Sequence, residues 1–328
     1  NNSGIVLDLF PNDSDNDGIS NTEDTDDNND GLIDADADSD GLIEINNFEQ
    51  FNAIRFDLSG SGRVLGEGES TDHSGCPAII KEETMQAHCI GYELNIDLDF
   101  DTNLDGVIDE NDLYWNEGQG WTPIGEESNA PFTAIFDGNH HIIRNLYINR
   151  PESSYIGLFN YVSGESAELR NLGLTGQLMK VVGNEYIGPL VGHADSGTKI
   201  NQTFSTGLVI GNRNIGGLIG HLVSSTLTNS LASGSITTNY RGGSLVGIAE
   251  HSRLQNNIAT GFVTIPPYSD GILGNSYKTT STNSHWATDT TQQESIPNPP
   301  TTDDNDSYFG ATLTQLQCPT AASNRTCL

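Results

Sequence analysis

A repeat of 27–28 residues governs the second half of this chain and leaves few folds open to it. Tyr186-Ile-Gly-Pro-Leu-Val-Gly192 is followed by Asn214-Ile-Gly-Gly-Leu-Ile-Gly220 and Arg241-Gly-Gly-Ser-Leu-Val-Gly247, with Gly271-Ile-Leu-Gly274 a shortened fourth copy. The closing glycines lie 28, 27 and 27 residues apart. A second motif keeps the same period: Leu169-Arg-Asn-Leu-Gly-Leu-Thr-Gly176, Ile200 to Gly207, Leu227-Thr-Asn-Ser-Leu-Ala-Ser-Gly234 and Leu254-Gln-Asn-Asn-Ile-Ala-Thr-Gly261. Two independent motifs sharing one period, built from short β-branched runs and Gly/Asn turns, specify a β-solenoid. Helical repeats would need longer stretches of 3.6 periodicity, which are absent. Two or three short strands per repeat are expected, with coils stacking at ~4.8 Å into a column of ~25–30 Å. Leu, Ile and Val at matching positions would form interior ladders, and Asn229 and Asn256 would stack their amides at turns. Open sheet edges at both ends need covering.

Four acidic, glycine-punctuated loops name a ligand. Asp101, Asn103, Asp105, Gly106, Asp109 and Asp112 read D-x-N-x-D-G-x-x-D-x-x-D, and Asp13, Asp15, Asp17, Gly18, Asn21 and Asp24 repeat that pattern. Two looser copies follow: Asp26, Asn28, Asp30, Gly31, Asp34, then Asp36, Asp38, Asp40, Gly41, Glu44. Alternate carboxylates converge only where the backbone wraps around a point, and glycine permits the sharp turn. A hard cation taking about 6–8 oxygens reconciles so many acids, so the expected cofactor is Ca2+, several ions in all. The Asp26 copy ends at Ala37 without its last acid, so its ion would be weak or shared with the next loop.

The charge balance fits. Thirteen Lys+Arg stand against 45 Asp+Glu, a formal net charge of −32, which argues against nucleic acid or an anionic membrane as partner through a basic patch. Metal-free protein should repel itself, and calcium should relieve this. The four cysteines fall into two close pairs, Cys76 with Cys89 and Cys318 with Cys327, which read as two local disulfides and an oxidising compartment. No apolar run approaches the ~20 residues that span a bilayer. Nor is there a basic-then-apolar start, so any signal peptide is expected to have been removed or the chain to be an excised piece. The expected address is secreted or on a cell surface.

Four segments follow along the chain. Residues 1–45 are acidic repeats ordered by calcium. Residues 46–129 form an N-terminal cap: a helix from Phe48 to Leu58, with Asn46 and Glu49 as a capping box and Gly60 as its stop, then a Cys-bounded loop, a strand over Tyr92–Phe100 and the Asp101 loop. Residues 130–275 are the solenoid coils, and 276–328 a C-terminal cap with Trp286, Tyr308, Phe309 and the second disulfide.

The Asp13–Asp24 and Asp101–Asp112 loops resemble thrombospondin type-3 calcium repeats. The Ile-Gly-Gly-Leu-Ile-Gly repeats resemble the GLUG motif of large bacterial surface proteins, supported by Trp121-Thr-Pro-Ile-Gly125, Phe136-Asp-Gly-Asn139 with Ile143-Arg-Asn-Leu146, and Asn283-Ser-His-Trp286. This resemblance implies an all-β, right-handed parallel β-helix acting as a module of a bacterial adhesin. It speaks to fold well and to activity poorly.

Parallel β-helices also host polysaccharide lyases and hydrolases. Glycoside hydrolysis needs two carboxylates ~5–9 Å apart, yet the coil acids Glu165, Glu168, Glu185, Asp195, Glu250 and Asp270 do not occupy equivalent positions in adjacent coils. Arg213 and Arg241 lie one coil apart without an acidic cluster. No enzyme is therefore expected, a polysaccharide lyase or hydrolase being the alternative and a structural spacer the third reading. His193 and His221 share a repeat position and should stack; a metal pair is the sharper alternative. His140 and His141 should alternate along a strand. Tyr114, Trp115 and Trp121 follow the Asp101 loop and are candidate sugar-stacking rings beside a calcium, the alternative being that they roof the first coil. The expected partner is a glycan or cell-surface polymer, with self-association left open.

Overall fold

The computed structural model of the chain describes residue 20 and residues 34–64, 66–81, 84–126, 129–264, 268–292 and 308–316. The expected ions at Asp13–Asp24 and Asp26–Asp30 and the Cys318–Cys327 disulfide lie outside these residues. Two compact units are present, Asn1–Asn95 and Ile96–Leu328.

In the first unit, strands Leu42–Ile45 and Gly91–Leu94 pair in parallel, Leu42 opposite Gly91 and Glu44 opposite Glu93. An antiparallel hairpin joins Ala78–Lys81 to Thr84–Ala87, and Cys76 and Cys89 form a disulfide on either side of it. The expected helix is shorter than its apolar stripe suggests: α-helix Phe48–Ala53 followed by a 3-10 turn Ile54–Phe56. Its cap is Asn47 rather than Asn46: the Asn47 side chain accepts the Gln50 N–H, and Gln50 Oε1 reaches back to accept the Asn46 N–H. The reciprocal bonding of a capping box is thus present, shifted by one residue. The predicted Tyr92–Phe100 strand is two strands, Gly91–Leu94 and Leu98–Asp99.

The second unit is a β-solenoid whose strands all pair in parallel. Five coils span residues 135–163, 168–195, 199–223, 226–250 and 253–277. A full coil such as 168–195 carries five short strands, not two or three: Glu168–Arg170, Gly173–Thr175, Lys180–Val182, Glu185–Ile187 and Val191–Asp195. Single left-handed residues bend the backbone, at Asn171 (φ 53°) and Ser196 (φ 55°) between strands and at Tyr186 (φ 59°) within one. The strands stack into ladders that form five faces.

On the first face Phe136, Leu169, Ile200, Leu227 and Leu254 lie in register and all are fully buried. On the fifth, Phe159, Val191, Ile219 and Val246 do the same. Each such side chain contributes roughly 1.5–3 kcal/mol by leaving water. The closing glycines of the repeat have a steric reason. A β-carbon at Gly192, Gly220 or Gly247 would sit 2.1, 2.3 or 2.3 Å from the backbone of Tyr155, Tyr186 or Asn214, each a left-handed residue of the coil before. Among the described residues no helix is long and apolar enough to cross a membrane.

Candidate functional site

Two of the predicted cation loops fall among the described residues, and both wrap in the same way. Asp101 Oδ1 accepts the Asp105 N–H at 3.1 Å and its Oδ2 the Gly106 N–H at 2.9 Å. Asp36 repeats this with Asp40 at 3.1 Å and Gly41 at 2.7 Å. Asp105 takes the Val107 N–H and Asp40 the Leu42 N–H two residues on. Both glycines have positive φ, 85° at Gly106 and 97° at Gly41, so the turn demanded of them by the motif is made.

Beyond this shared wrap the loops diverge. In the Asp101 loop, Asp112 closes the circle by accepting from Thr102 N at 2.7 Å and Asp109 N at 2.9 Å. Asp101 and Asp112 are buried while Asn103 and Asp105 are exposed. Among the described residues, no three carboxylates of this loop bring ligand oxygens within 4.8 Å of one another, so a cation here would also draw on Asn103 and backbone carbonyls. Leu104, Val107 and Leu113 stand at 75, 52 and 73% exposure, an apolar rim around it. The loop is moored to the solenoid: Asp99 takes the Asn145 side-chain amide at 2.8 Å, and Asp97 accepts from Ile142 N, His141 and Arg144. The Ile142 N–H, assisted by the other two donors, holds the Asp97 carboxyl below its usual range.

The Asp36 loop does gather its acids. Among the described residues, ligand atoms of Asp36, Asp38 and Asp40 lie within 4.8 Å of one another, and so do those of Asp38, Glu44 and Glu93. Asp36 also approaches Cys76 and Cys89, but those sulfurs are joined to each other and offer no thiolate. Asp34 is buried and joins neither group. Glu44 is 3% exposed; its Oε1 accepts the Ala37 N–H at 2.7 Å, while its Oε2 is buried without a hydrogen-bond partner. Burial pushes the Glu44 carboxyl up to about 8 and the Asp36 carboxyl up to about 7, with neighbouring aspartates adding to both. Oxygen donors alone, a wrapped loop and an orphaned buried carboxylate oxygen suit a hard divalent cation. Glu93 was not foreseen: its only sequence signal is an acid inside a strand otherwise made to be buried.

The predicted sugar-stacking rings separate. Trp121 is 1% exposed, its Nε1 donates to the Leu158 carbonyl at 3.1 Å, and it meets Phe100 and Tyr114 edge-on at 5.5 and 5.2 Å. Buried in this way, it roofs the first coil and has no face free for a ligand. Tyr114 and Trp115 are half-buried, Trp115 stacking on Tyr147 at 5.6 Å.

His193 and His221 do fall in register, but their rings meet edge-on at 4.7 Å instead of stacking, with their Nδ1 atoms 3.1 Å apart, so one donates and the other accepts. Tyr161 stacks on His193 at 4.1 Å and Tyr186 on His221 at 5.0 Å. Burial, with His193 alongside, pulls His221 down to about 4. His140 sits at a left-handed corner (φ 63°) rather than within a strand.

A feature the motifs did not disclose is the second face of the solenoid. Its outward ladder runs Ile142, Gly173, Phe204, Leu231, Ile258 and His285. The Phe204 ring lies across Gly173, where a β-carbon would come within 2.3 Å of it. Beside this stripe the corner amides stack: Asn229 donates to Asn201 at 2.8 Å, Asn256 to Asn229 at 3.1 Å and Asn283 to Asn256 at 2.8 Å. Along the other side Thr175 and Thr206 share a hydroxyl hydrogen bond at 2.8 Å. Open grooves of about 430 and 550 Å³ flank the stripe. The segments 171–177, 202–208, 229–235 and 256–262 that build it hold no charged residue, in a chain of net charge −32. The sequence signal was an apolar residue two positions after Gln202, Asn229 and Asn256, which periodicity cannot tell from an interior one.

No family model matches the chain. It is similar to a protein of Evansella cellulosilytica provisionally named a Gly-rich membrane protein, 42% identical over 77 residues, which is 23% of this chain and 9% of that one. It is also similar to halomucin of Haloquadratum walsbyi, 30% identical over 149 residues, 45% of this chain and 2% of that one. The chain thus spans less than a tenth of either relative. A solved structure from Bacteroides ovatus, provisionally described as an immunoglobulin A1 protease, covers 84% of the chain and is itself covered to 85%, with 13% identity and a TM-score of 0.35.

Proposed function

We propose that the chain is a calcium-dependent, extracellular and non-catalytic binding module, of the kind found in surface adhesins, that holds a neutral linear glycan or similar polymer along the second face of its solenoid. The observation carrying this is the uncharged ladder of Phe204, Leu231 and Ile258 between stacked amides and hydroxyls. A site that repeats once per coil suits a ligand that repeats along its own length. Apolar side chains meet the C–H faces of sugars, and amides and hydroxyls exchange hydrogen bonds with their hydroxyl groups. A lack of charge disfavours anionic polymers, which the rest of the surface would repel.

Calcium enters as the organiser of the loop at Asp101, Asn103, Asp105, Asp109 and Asp112. That loop continues from strand Leu98–Asp99, the first strand of the same face. The Cys76–Cys89 disulfide supports an oxidising, extracellular address.

The test is an array of neutral and anionic glycans probed with the full chain in millimolar calcium and in EDTA, with thermal melting in parallel. Neutral, linear glycans should bind in calcium, and Phe204→Ala should weaken them about tenfold, ~1.4 kcal/mol. Hits confined to anionic glycans, or unchanged by Phe204→Ala, would remove the face from the argument. No hits with a large calcium-dependent rise in Tm would leave a structural spacer.

A further inference from the structure

We infer that the first unit holds a second divalent cation position, made by Asp38, Glu44 and Glu93, beside the one that Asp36, Asp38 and Asp40 form within the loop. It rests on the calcium reading only for the choice of ion and is independent of the glycan reading.

The loop motif by itself asks Glu44 to close the ring begun by Asp36. The fold gives Glu44 other work. Gly41 turns the chain straight into strand Leu42–Ile45, and the parallel register sets Glu44 directly beside Glu93 of strand Gly91–Leu94. Like charges adjacent in a sheet destabilise it even when solvated. Here Glu44 is 3% and Glu93 8% exposed, so the desolvation of two carboxylates is added to their repulsion. Asp38 arrives from the loop to bring ligand oxygens of all three within 4.8 Å. Glu44 Oε1 is fixed by the Ala37 N–H, which leaves Oε2, buried and without a partner, as the atom toward which a cation would be drawn.

The pieces of a metal site are therefore on hand. Donors are all carboxylate oxygens, which selects a hard cation, and their mixed reach suits the flexible coordination of Ca2+ over the strict octahedron of Mg2+. A backbone N–H orients one ligand from behind. Glu44 and Glu93 are the buried floor, and the exposed Asp38 is the entry. Asp38 belongs to both groups and would bridge the two ions. A cation so placed ties the acidic loop to a strand 49 residues further along (Glu44 to Glu93), which lies just after the Cys76–Cys89 disulfide.

The experiment is calcium stoichiometry and affinity on the full, disulfide-intact chain by equilibrium dialysis and titration calorimetry, comparing wild type with Glu93→Gln, and with Asp105→Asn as a control in the other loop. Glu93→Gln should bind one calcium fewer per chain, or bind that calcium at least tenfold more weakly, with unchanged near-UV circular dichroism in saturating calcium. Asp105→Asn should alter a different ion, so that the double variant shows both losses. If Glu93→Gln does not fold, Glu93→Asp keeps the charge but withdraws it by one methylene and should weaken the same ion. Unchanged stoichiometry and affinity in Glu93→Gln overturns the second position while leaving the loop ions standing. A Glu93→Gln chain that is stabilised equally with and without calcium would also overturn it, because Glu44 and Glu93 would then be sharing a proton instead of a metal.

Discussion

A single imidazole can be asked to report on the packing of the whole fifth face. His221 is held near 4 by burial, with His193 beside it and the aromatic ring of Tyr186 stacked on it. The acids facing the pair are Asp195, 3.5 Å from His193 Nε2, and Glu250, 3.8 Å from His221 Nε2; neither restores the charged form of His221. The unfolded chain takes up this proton near 6.5, well before the folded chain does. The contribution is thus fully present above about pH 6.5 and is lost as pH falls toward 4, by up to roughly 3 kcal/mol. Chemical denaturation in saturating calcium between pH 4 and 7 should show stability rising with pH, and His221→Phe should flatten that slope. An unchanged slope would mean that His221 is solvated in the protein.

At the scale of one element, the corner amides show how a repeat holds its register. Asn171, Gln202, Asn229, Asn256 and Asn283 all adopt φ between 52 and 57°, a conformation asparagine tolerates better than most side chains. From Asn229 on, each also donates to an amide oxygen of the coil before. Interior hydroxyls do similar work, Ser230 Oγ taking the Thr203 N–H at 3.2 Å and Ser252 Oγ the Ser225 N–H at 3.2 Å. Comparing Asn229→Gly with Asn229→Ala separates the two roles. Both variants lose the two amide bonds of Asn229, at about 1–2 kcal/mol together; glycine adds up to about 1 kcal/mol of unfolded-chain entropy, and alanine adds about 1–2 kcal/mol of left-handed strain. Urea melts in which alanine is the more stable of the two would show that backbone strain plays no part.

For the whole molecule, charge and metal act together. A chain of net charge −32 repels itself, and its first unit buries acids whose carboxyls stand near 7 and 8. Those groups keep protons that the unfolded chain has released above about pH 4–5. Their stabilising contribution to the metal-free protein is therefore present at low pH and is lost as pH rises through 7 to 8. Calcium needs the deprotonated ligands and competes with those protons. The difference in Tm between calcium and EDTA should therefore widen steadily from pH 4.5 to 8. The His221 contribution, common to both conditions, drops out of that difference. A gap that stays constant with pH would place the calcium effect away from Asp36 and Glu44.

How far the sequence reached depended on distance along the chain. The solenoid, its period, its interior Leu/Ile/Val ladders, the stacking of Asn229 on Asn256 and the meeting of His193 with His221 were all legible, because stacked coils turn a sequence period directly into a spatial neighbour. The wrap of the Asp36 and Asp101 loops was legible too, since it closes within five residues through Gly41 and Gly106. What only the tertiary structure decided joins residues with no shared motif or period. Glu93 meets Glu44 because two strands 49 residues apart fall into parallel register. Trp121 is sealed because Phe100 and Tyr114 meet it edge-on and the Leu158 carbonyl takes its Nε1–H. Phe204, Leu231 and Ile258 face outward, and not into the core, because a left-handed residue at each corner resets which way the next side chain points. Local sequence encodes local turns and repeats; which side of a turn meets solvent, and which distant acid meets another, follows from the packing of the folded chain.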